Sequence, residues 1–400
     1  MLSNRQLFLM HLGQTSSAPL MVEIVRAEGA FMYGPAGEKY LDLISGVSVS
    51  NTGHCHPKVV EAVKSQVDAY LHLMVYGEMI QSPQVRYAAA LTTILPHELN
   101  NVYFVNSGSE AVEGALKLAK RFTGKSRIIF FKNSYHGSTH GALSVQGSEL
   151  YKNSFRPLLP DTFQVDFNDE KSIESIDKKT ACVIVEPVQG EAGVIFPEND
   201  FLGKIRKRCN ETGALLIFDE IQTGFGRIGH MFAIDRFDVV PDILLLAKAL
   251  GGGMPLGAFI SSKEIMSSLI TNPQLGHITT FGGHPVCCAA GLASLNVIIE
   301  ENLVASSAGK SALFKKELNH PLIAEARGEG LFLAVRLTDP NYVQYAITHA
   351  PDFGLILDYF LFCNTAFRIA PPLIISNDEI LWACGQLKKL LDDVIKKAGK

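Results

Sequence analysis

The sequence predicts an α/β protein with a largely parallel sheet covered by helices, joined to a smaller α+β part. Three observations lead there. Four hundred residues exceed what one compact core holds, so a large and a small domain are expected. From about residue 100, short β-branched or aromatic runs alternate with helical patterns, the signature of strands crossed over by helices. Beyond Gly283 the pieces change character and read as α+β.

The expected strands are Val102–Asn106, Arg127–Phe131, Cys182–Glu186, Ala214–Asp219 and Asp242–Ala247. In open α/β sheets ligands bind beyond the carboxyl ends of the strands, which singles out Asn106, Glu186 and Asp219 by position. A long apolar helix over Val286–Ile299 leads into the rest of the chain. There Arg327–Leu337 reads as a strand entered through Gly328 and Gly330, and Ser376-Asn-Asp-Glu379 reads as a capping box. The final helix carries an apolar stripe at Ile380, Cys384, Leu387, Leu391 and Val394. Near the start, Tyr33-Gly-Pro-Ala-Gly37 suggests a hairpin, and the first forty-odd residues are expected to join the smaller domain.

Apolar residues make up 47% of the chain and charged ones 19%, a balance suited to a globular protein. A net charge of -4 argues against nucleic acid or an anionic membrane as partner, leaving small molecules as ligands. The stretch from Met1 to Gln14 lacks the pattern of a secretory signal, and no run suits a bilayer span, so a cytoplasmic location is expected. Seven scattered cysteines without a spaced Cys-x-x-Cys suggest reduced thiols. His54 and His56 flank a glycine turn with no matching ligand cluster, so no metal is expected.

Four features carry chemistry. The run Val102 to Glu110 reads as strand, Gly turn and helix, with Ser107 and Glu110 as a capping box; a phosphate fits on Gly108 and Ser109 at the helix N-terminus, although an ordinary capped helix explains the run equally well. Tyr135 and His136 follow a strand, where a planar ring could stack on Tyr135, although an aromatic there can simply pack in the core and His136 can be a hydrogen-bonded structural residue. Asp219 ends an apolar strand, and a buried carboxylate there needs something positive to meet it, such as a protonated ring nitrogen; a nearby arginine, or a role capping the next helix, explains it equally well. Lys248 sits among apolar residues beside three glycines; desolvation lowers an amine's pKa, and the neutral amine condenses with aldehydes. Each feature has a structural explanation alone. Together they supply the parts that hold pyridoxal 5′-phosphate.

The chain resembles the class III, ornithine/acetylornithine-like aminotransferases over nearly its whole length. The runs that carry the resemblance are Asn51-Thr-Gly-His-Cys-His-Pro57, Asn106-Ser-Gly-Ser-Glu-Ala111 and Glu186-Pro-Val-Gln-Gly-Glu-Ala-Gly193. Phe218-Asp-Glu-Ile-Gln-Thr-Gly-Phe-Gly-Arg227, Ala247-Lys-Ala-Leu-Gly-Gly-Gly253, Thr279-Thr-Phe-Gly-Gly283 and Phe367-Arg-Ile-Ala-Pro-Pro372 extend it. The resemblance implies fold type I, with a mostly parallel seven-stranded sheet in a large cofactor-binding domain over residues 46–290. Residues 1–45 and 291–400 would form the small domain, and two copies would share their active sites. It further implies that Lys248 carries the cofactor covalently, that Asp219 pairs with the ring nitrogen and that Gln222 bonds the ring's phenolic oxygen. Ser107, Gly108 and Ser109 would hold the phosphate, completed by Thr280 of the neighbouring copy, while Tyr135 and His136 would lie against the ring. Glu186 would support this polar network, and Glu191 with Arg368 would form a gate that frees the arginine for a substrate carboxylate. Arg227 lies in a signature run and reads as structural.

The implied reaction moves an amino group from an amino acid or ω-amino donor to a keto acid such as 2-oxoglutarate or pyruvate. Aminomutase, racemase or decarboxylase chemistry on the same cofactor, or binding without catalysis, are the competing readings; retention of Lys248, Asp219 and Gln222 together argues against the last. One departure bears on the substrate. Ornithine and acetylornithine enzymes continue the Tyr135 motif with an arginine that grips a substrate carboxylate, whereas this chain has Ser138, which cannot form a bidentate ion pair. Such a contact is worth roughly 1.5–3 kcal/mol. Either Arg86 or Arg156 takes its place, or the donor lacks a second carboxylate.

Overall fold

Strands buried on both faces need apolar side chains on both, and the central strands meet that demand. Leu215–Asp219 is buried throughout. Its alternate residues feed two cores: Leu216 and Phe218 pack on one side with Val183, Val185 and Leu244, and Leu215 and Ile217 on the other with Cys182, Ile184 and Leu245. Fully burying one such side chain stabilises the fold by roughly 1.5–3 kcal/mol before chain entropy is counted.

The structure, a computed structural model, describes residues 2–398; Met1, Gly399 and Lys400 lie outside it. A seven-stranded sheet runs in the order Asn101–Val105, Gly257–Ser261, Ile243–Leu246, Leu215–Asp219, Thr180–Val185, Arg127–Phe131, Thr162–Val165. All neighbours are parallel except around Gly257–Ser261, which is antiparallel to both of its partners. This is the mostly parallel sheet expected. Of its seven strands, Thr162–Val165 and Gly257–Ser261 were not anticipated one by one. The helix Gly108–Thr123 covers one face, burying Ala111, Ala115, Leu118 and Ala119.

Smaller sheets flank the large one. Phe31–Tyr33 and Lys39–Asp42 form the expected hairpin, closed by Gly34 N donating to Glu38 O at 2.9 Å. Leu355–Ile356 then pairs parallel with Lys39–Asp42, so the start and the last quarter of the chain share one sheet. A second four-stranded sheet contains Ile323–Glu329, Phe332–Leu337, Cys363–Ile369 and Asp358–Phe360. The single strand expected over Arg327–Leu337 is therefore a hairpin: Gly330, at φ 56°, turns the chain back, and the two arms pair antiparallel. The final helix, Asn377–Ala398, buries all five residues of its predicted stripe. Its capping box is complete, with Ser376 N donating to Glu379 Oε2 at 2.7 Å and Glu379 N to Ser376 Oγ at 3.2 Å. Pro285–Glu300 opens on its proline and buries Cys287, Cys288, Leu295 and Ile298. No single helix among the described residues is long and apolar enough to cross a membrane.

Candidate active site

The carboxyl ends of the parallel strands converge on a cavity of about 510 Å³. Ser107, Gly108, Ser109, Tyr135, His136, Glu186, Asp219, Gln222 and Lys248 all line it. They come from five separate chain segments.

At one end stands the start of the helix Gly108–Thr123, whose first N–H groups have no partner within the helix. Ser107 caps it by accepting from Glu110 N at 3.2 Å. The capping box expected here is only half formed: Glu110 Oε2 reaches past Ser107 to accept from Asn106 N and Asn106 Nδ2, both at 2.8 Å. That bond ties the strand end to the helix start. Gly137 is required beside it, since at φ 123° a Cβ would stand 2.1 Å from Ser109 Oγ. This close approach lets Ser138 N donate to Ser109 Oγ at 3.3 Å.

Asp219 finds its partner in His136, whose Nδ1 lies 2.6 Å from Asp219 Oδ2, with both side chains buried. Asp219 Oδ1 accepts from Ile221 N at 3.1 Å. The carboxylate's side-chain hydrogen-bond partner is thus a histidine from the adjoining loop. Sequence reasoning missed this pairing, because 83 positions separate the two residues. Three buried polar atoms in the wall have no protein partner: His136 Nε2, Glu186 Oε2 and Gln222 Oε1. Burial, reinforced by Asp219 and Glu191, holds the Glu186 carboxyl well above the usual carboxylate range.

Lys248 follows the strand Ile243–Leu246 at φ 50°, a left-handed backbone that costs an ordinary residue about 1–2 kcal/mol. Strain of this kind persists where surrounding structure dictates it, and here it aims the amine into the cavity. Burial lowers its pKa to about 8, against the opposing pull of Glu191.

Glu191 and Arg368 stand behind Gln222 instead of lining the cavity. Arg368 Nη2 donates to Glu191 Oε1 at 2.6 Å, and Gln222 Nε2 donates to the same oxygen at 3.0 Å. Leu361 N holds Glu191 Oε2 at 3.0 Å, and the Arg368 guanidinium lies 4.8 Å from the Phe360 ring centroid. Burial raises the Glu191 pKa, but Arg368, Lys248, the Leu361 N–H and Gln222 together outweigh it and the group sits below its ordinary value. Arg368 Nε and Nη1 are buried without partners. The 360–362 turn that pins this pair carries no sequence signal of its own.

Other expected residues fall elsewhere. Thr280 is exposed and does not line the cavity of its own chain; its neighbour Thr279 accepts from Asn106 Nδ2 at 3.2 Å. Arg156 pairs with Glu149 at 2.7 Å on the surface and Arg86 is exposed on Ser82–Thr93, and neither lines the cavity of its own chain. His54 pairs with Asp42 at 2.8 Å and His56 with Glu301 at 3.2 Å. Arg227 is fully buried, donating to Leu331 O at 2.8 Å and Pro371 O at 2.6 Å, and also to Ser45 Oγ and Asn51 Oδ1.

The sequence model described as Aminotransferase class-III matches residues 12–391. The chain belongs to the class III aminotransferases. It is a pyridoxal 5′-phosphate-dependent transaminase with the fold the resemblance implied. An acetylornithine aminotransferase of Methanopyrus kandleri is 40% identical over 386 residues, covering 95% of this chain and 96% of that protein. Among solved structures, an ornithine aminotransferase of Toxoplasma gondii, described with partial occupancy of PLP at its active site, superposes with a TM-score of 0.90. It is 29% identical, with 98% of this chain and 94% of that one covered. A transaminase from the marine bacterium Virgibacillus gives a TM-score of 0.92 at 27% identity, covering 98% and 99%. In this class III aminotransferase the nine lining residues occupy the same strand ends that sequence reasoning marked for ligand binding.

Proposed function

We propose that Lys248 is the residue that carries pyridoxal 5′-phosphate in this aminotransferase, within a site made by residues 46–290 and closed by the chain's two ends. The carrying observation is a buried amine with a pKa near 8 that opens onto the cavity shared by a capped helix start and a histidine-backed carboxylate. The cavity fits the cofactor in its unpaired atoms. Free N–H groups at Gly108 and Ser109 suit its phosphate, His136 and Asp219 suit its ring nitrogen side, and the wall atoms of Gln222 and Glu186 suit its polar edge. Tyr135 offers an aromatic face beside them.

Once bound, the cofactor supplies an electron sink for charge developing at the substrate's amine-bearing carbon. The chain's own residues do the rest. Lys248, depressed toward neutrality, serves as nucleophile and then as the base that moves a proton. Asp219 sustains positive charge opposite it, with His136 fixing its orientation. Glu191 neutralises Arg368 and yields it to a substrate carboxylate, so donor and acceptor alternate in one cavity. An amino acid or ω-amino donor and a 2-oxo acid acceptor suit this arrangement, in line with the ornithine and acetylornithine activities named for its relatives.

A homodimer is part of the same reading. Leu71, Leu73, Met79, Ile80, Ile278 and Phe281 expose apolar surface near the Thr280 loop, with Ile80 95% exposed. A second copy covering that face would bring its Thr280 to the phosphate end of this site. Seven free thiols suit a reducing cytoplasm.

Borohydride reduction of the holoenzyme followed by peptide mapping tests the central assignment. The expected result is a pyridoxyl mass on the peptide containing Lys248 and none elsewhere; a label on another lysine overturns it. Sedimentation of the holoenzyme tests the assembly, with a dimer expected and a monomer contrary to it.

A further inference from the structure

We propose that this chain carries a second anion site, outside the aminotransfer cavity, in which Lys117, Lys120, Arg121 and His277 take up a small phosphate-bearing molecule. It does not depend on the chemistry at Lys248.

The later turns of the helix Gly108–Thr123 and the segment around Gly276 border a cavity of about 400 Å³, lined by Lys117, Lys120, Arg121, Leu269, Gly276 and His277. Among the described residues no acid lines it, and none of the three cations forms an ion pair. A carboxylate one turn earlier would ordinarily neutralise Lys117, and Glu113 stands at that position. That acid is engaged elsewhere: its Oε1 accepts from Thr139 Oγ1 at 2.6 Å and from Gly141 N at 2.8 Å. Lys117 Nζ is left 3.0 Å from His277 Nδ1. An ammonium only donates, so Nδ1 accepts and the imidazole is neutral, with its proton on Nε2. Arg121 Nε donates to Ser268 O, which fixes the guanidinium and leaves its terminal nitrogens free among the described residues.

Basic residues in a last helical turn commonly answer the partial negative charge there, and that accounts for Lys120 and Arg121. It does not account for Lys117, which lies more than a turn further in, or for His277, which comes from another segment. The imidazole is also firmly seated. Its ring packs on Tyr103 and Phe259, at centroid separations of 5.3 and 5.8 Å, and Tyr103 Oη donates to His277 O at 2.8 Å. Tyr103 and Phe259 are cross-strand partners in the large sheet, so this wall of the cavity is anchored to the core. Burial first and Lys117 second push the His277 pKa down, against the weaker pull of Glu110 and Glu113. Two ammonium groups, a guanidinium fork and a neutral N–H about one cavity match the double charge and several oxygens of a phosphate group. Leu269 gives a small organic tail an apolar wall.

Calorimetric titration of the holoenzyme with inorganic phosphate, at ionic strength held constant with chloride, tests this while the cofactor's own phosphate fills the cup at Gly108 and Ser109. One saturable site per chain is expected, with a dissociation constant of about 1 mM or tighter, the level that two or three charge-assisted contacts reach. Lys117→Gln with Arg121→Gln should weaken it by about tenfold or more, whereas Lys178→Gln, at an exposed lysine elsewhere, should leave it unchanged. If the double variant melts early, Lys117→Gln alone should still weaken binding by about threefold, and Lys117→Arg should restore it. Glycerol 3-phosphate binding as tightly as phosphate or tighter assigns the site to an organic phosphate; weaker binding assigns it to the free ion. No saturable site, an equal response to chloride, or full affinity in the folded double variant overturns the proposal.

Discussion

Two arginines are buried equally deeply in this protein and are treated in opposite ways. Arg227 has both terminal nitrogens bonded to neutral oxygens from four parts of the chain: Ser45, Asn51, Leu331 and Pro371. With no carboxylate bonded to it, burial pulls its pKa down to about 9 against the weaker opposing pull of Asp42. Arg368 has one ionic partner, Glu191, and two nitrogens left bare. A buried cation with most of its donors satisfied by backbone and neutral side chains is a cross-link, because every alternative conformation leaves several groups unpaired. One with spare donors beside a cavity carries a deficit that a ligand can fill. How the hydrogen bonds are distributed, more than the depth of burial, separates the fastening from the functional group.

Lys248 is the extreme of the second kind, and replacing it breaks the contrast most sharply. Lys248→Ala should lower turnover by about 10⁴-fold or more, since nucleophile and proton carrier go together, while thermal stability is kept or raised by removal of a buried amine. Turnover assays with melting curves check both halves. Arg227→Met should do the reverse, costing about 3–5 kcal/mol in unfolding free energy through stranded acceptors, with little change in kcat/KM of the folded fraction. Denaturant titration beside active-site-normalised kinetics decides it; a stable but inactive Arg227→Met would place this residue in the chemistry.

Much of this distinction was legible in the sequence, and the illegible part has a physical reason. Lys248, Asp219 and the Ser107–Ser109 turn lie in contiguous runs whose local composition already states the environment: apolar strand, then one polar residue, then glycine. The His136–Asp219 bond and the Leu361 anchor on Glu191 join distant segments, and no local pattern encodes a contact made only by folding. Two strands escaped for different causes. Thr162–Val165 is an edge strand with Phe163 and Gln164 exposed, so it lacks the buried apolar signature; Gly257–Ser261 begins and ends on small residues and has only Phe259 and Ile260 as bulky ones. The Arg327–Leu337 error came from reading Gly328 and Gly330 as an entry when Gly330 is the turn itself.

Arg368→Gln sharpens the contrast within the site. Losing a charged contact to the acceptor's carboxylate should raise its KM roughly 10- to 150-fold, with kcat changed far less. The stability loss should be smaller than for Arg227→Met, because Glu191 keeps Gln222 and Leu361 as donors. A larger loss than Arg227→Met would mean that Arg368 is also a fastening.

The smallest effect is a pH dependence that belongs to the unpartnered amine alone. Lys248 has its pKa lowered from 10.5 to about 8 by burial, so below that value the amine is protonated and cannot attack an aldehyde. Cofactor uptake by apo-protein should therefore rise with pH up to about 8 and then level off, increasing roughly fivefold between pH 7 and 8. Stability carries the matching sign. A lowered amine pKa means that the unfolded chain binds the proton more readily between 8 and 10.5, so this group contributes no penalty above 10.5 and its full penalty below 8. Uptake followed by absorbance across pH 6–10 measures the midpoint directly. If it lay near 10.5, the amine would be as well solvated as a surface lysine, and Lys248 would lose its place at the far end of the scale on which Arg227 marks the other.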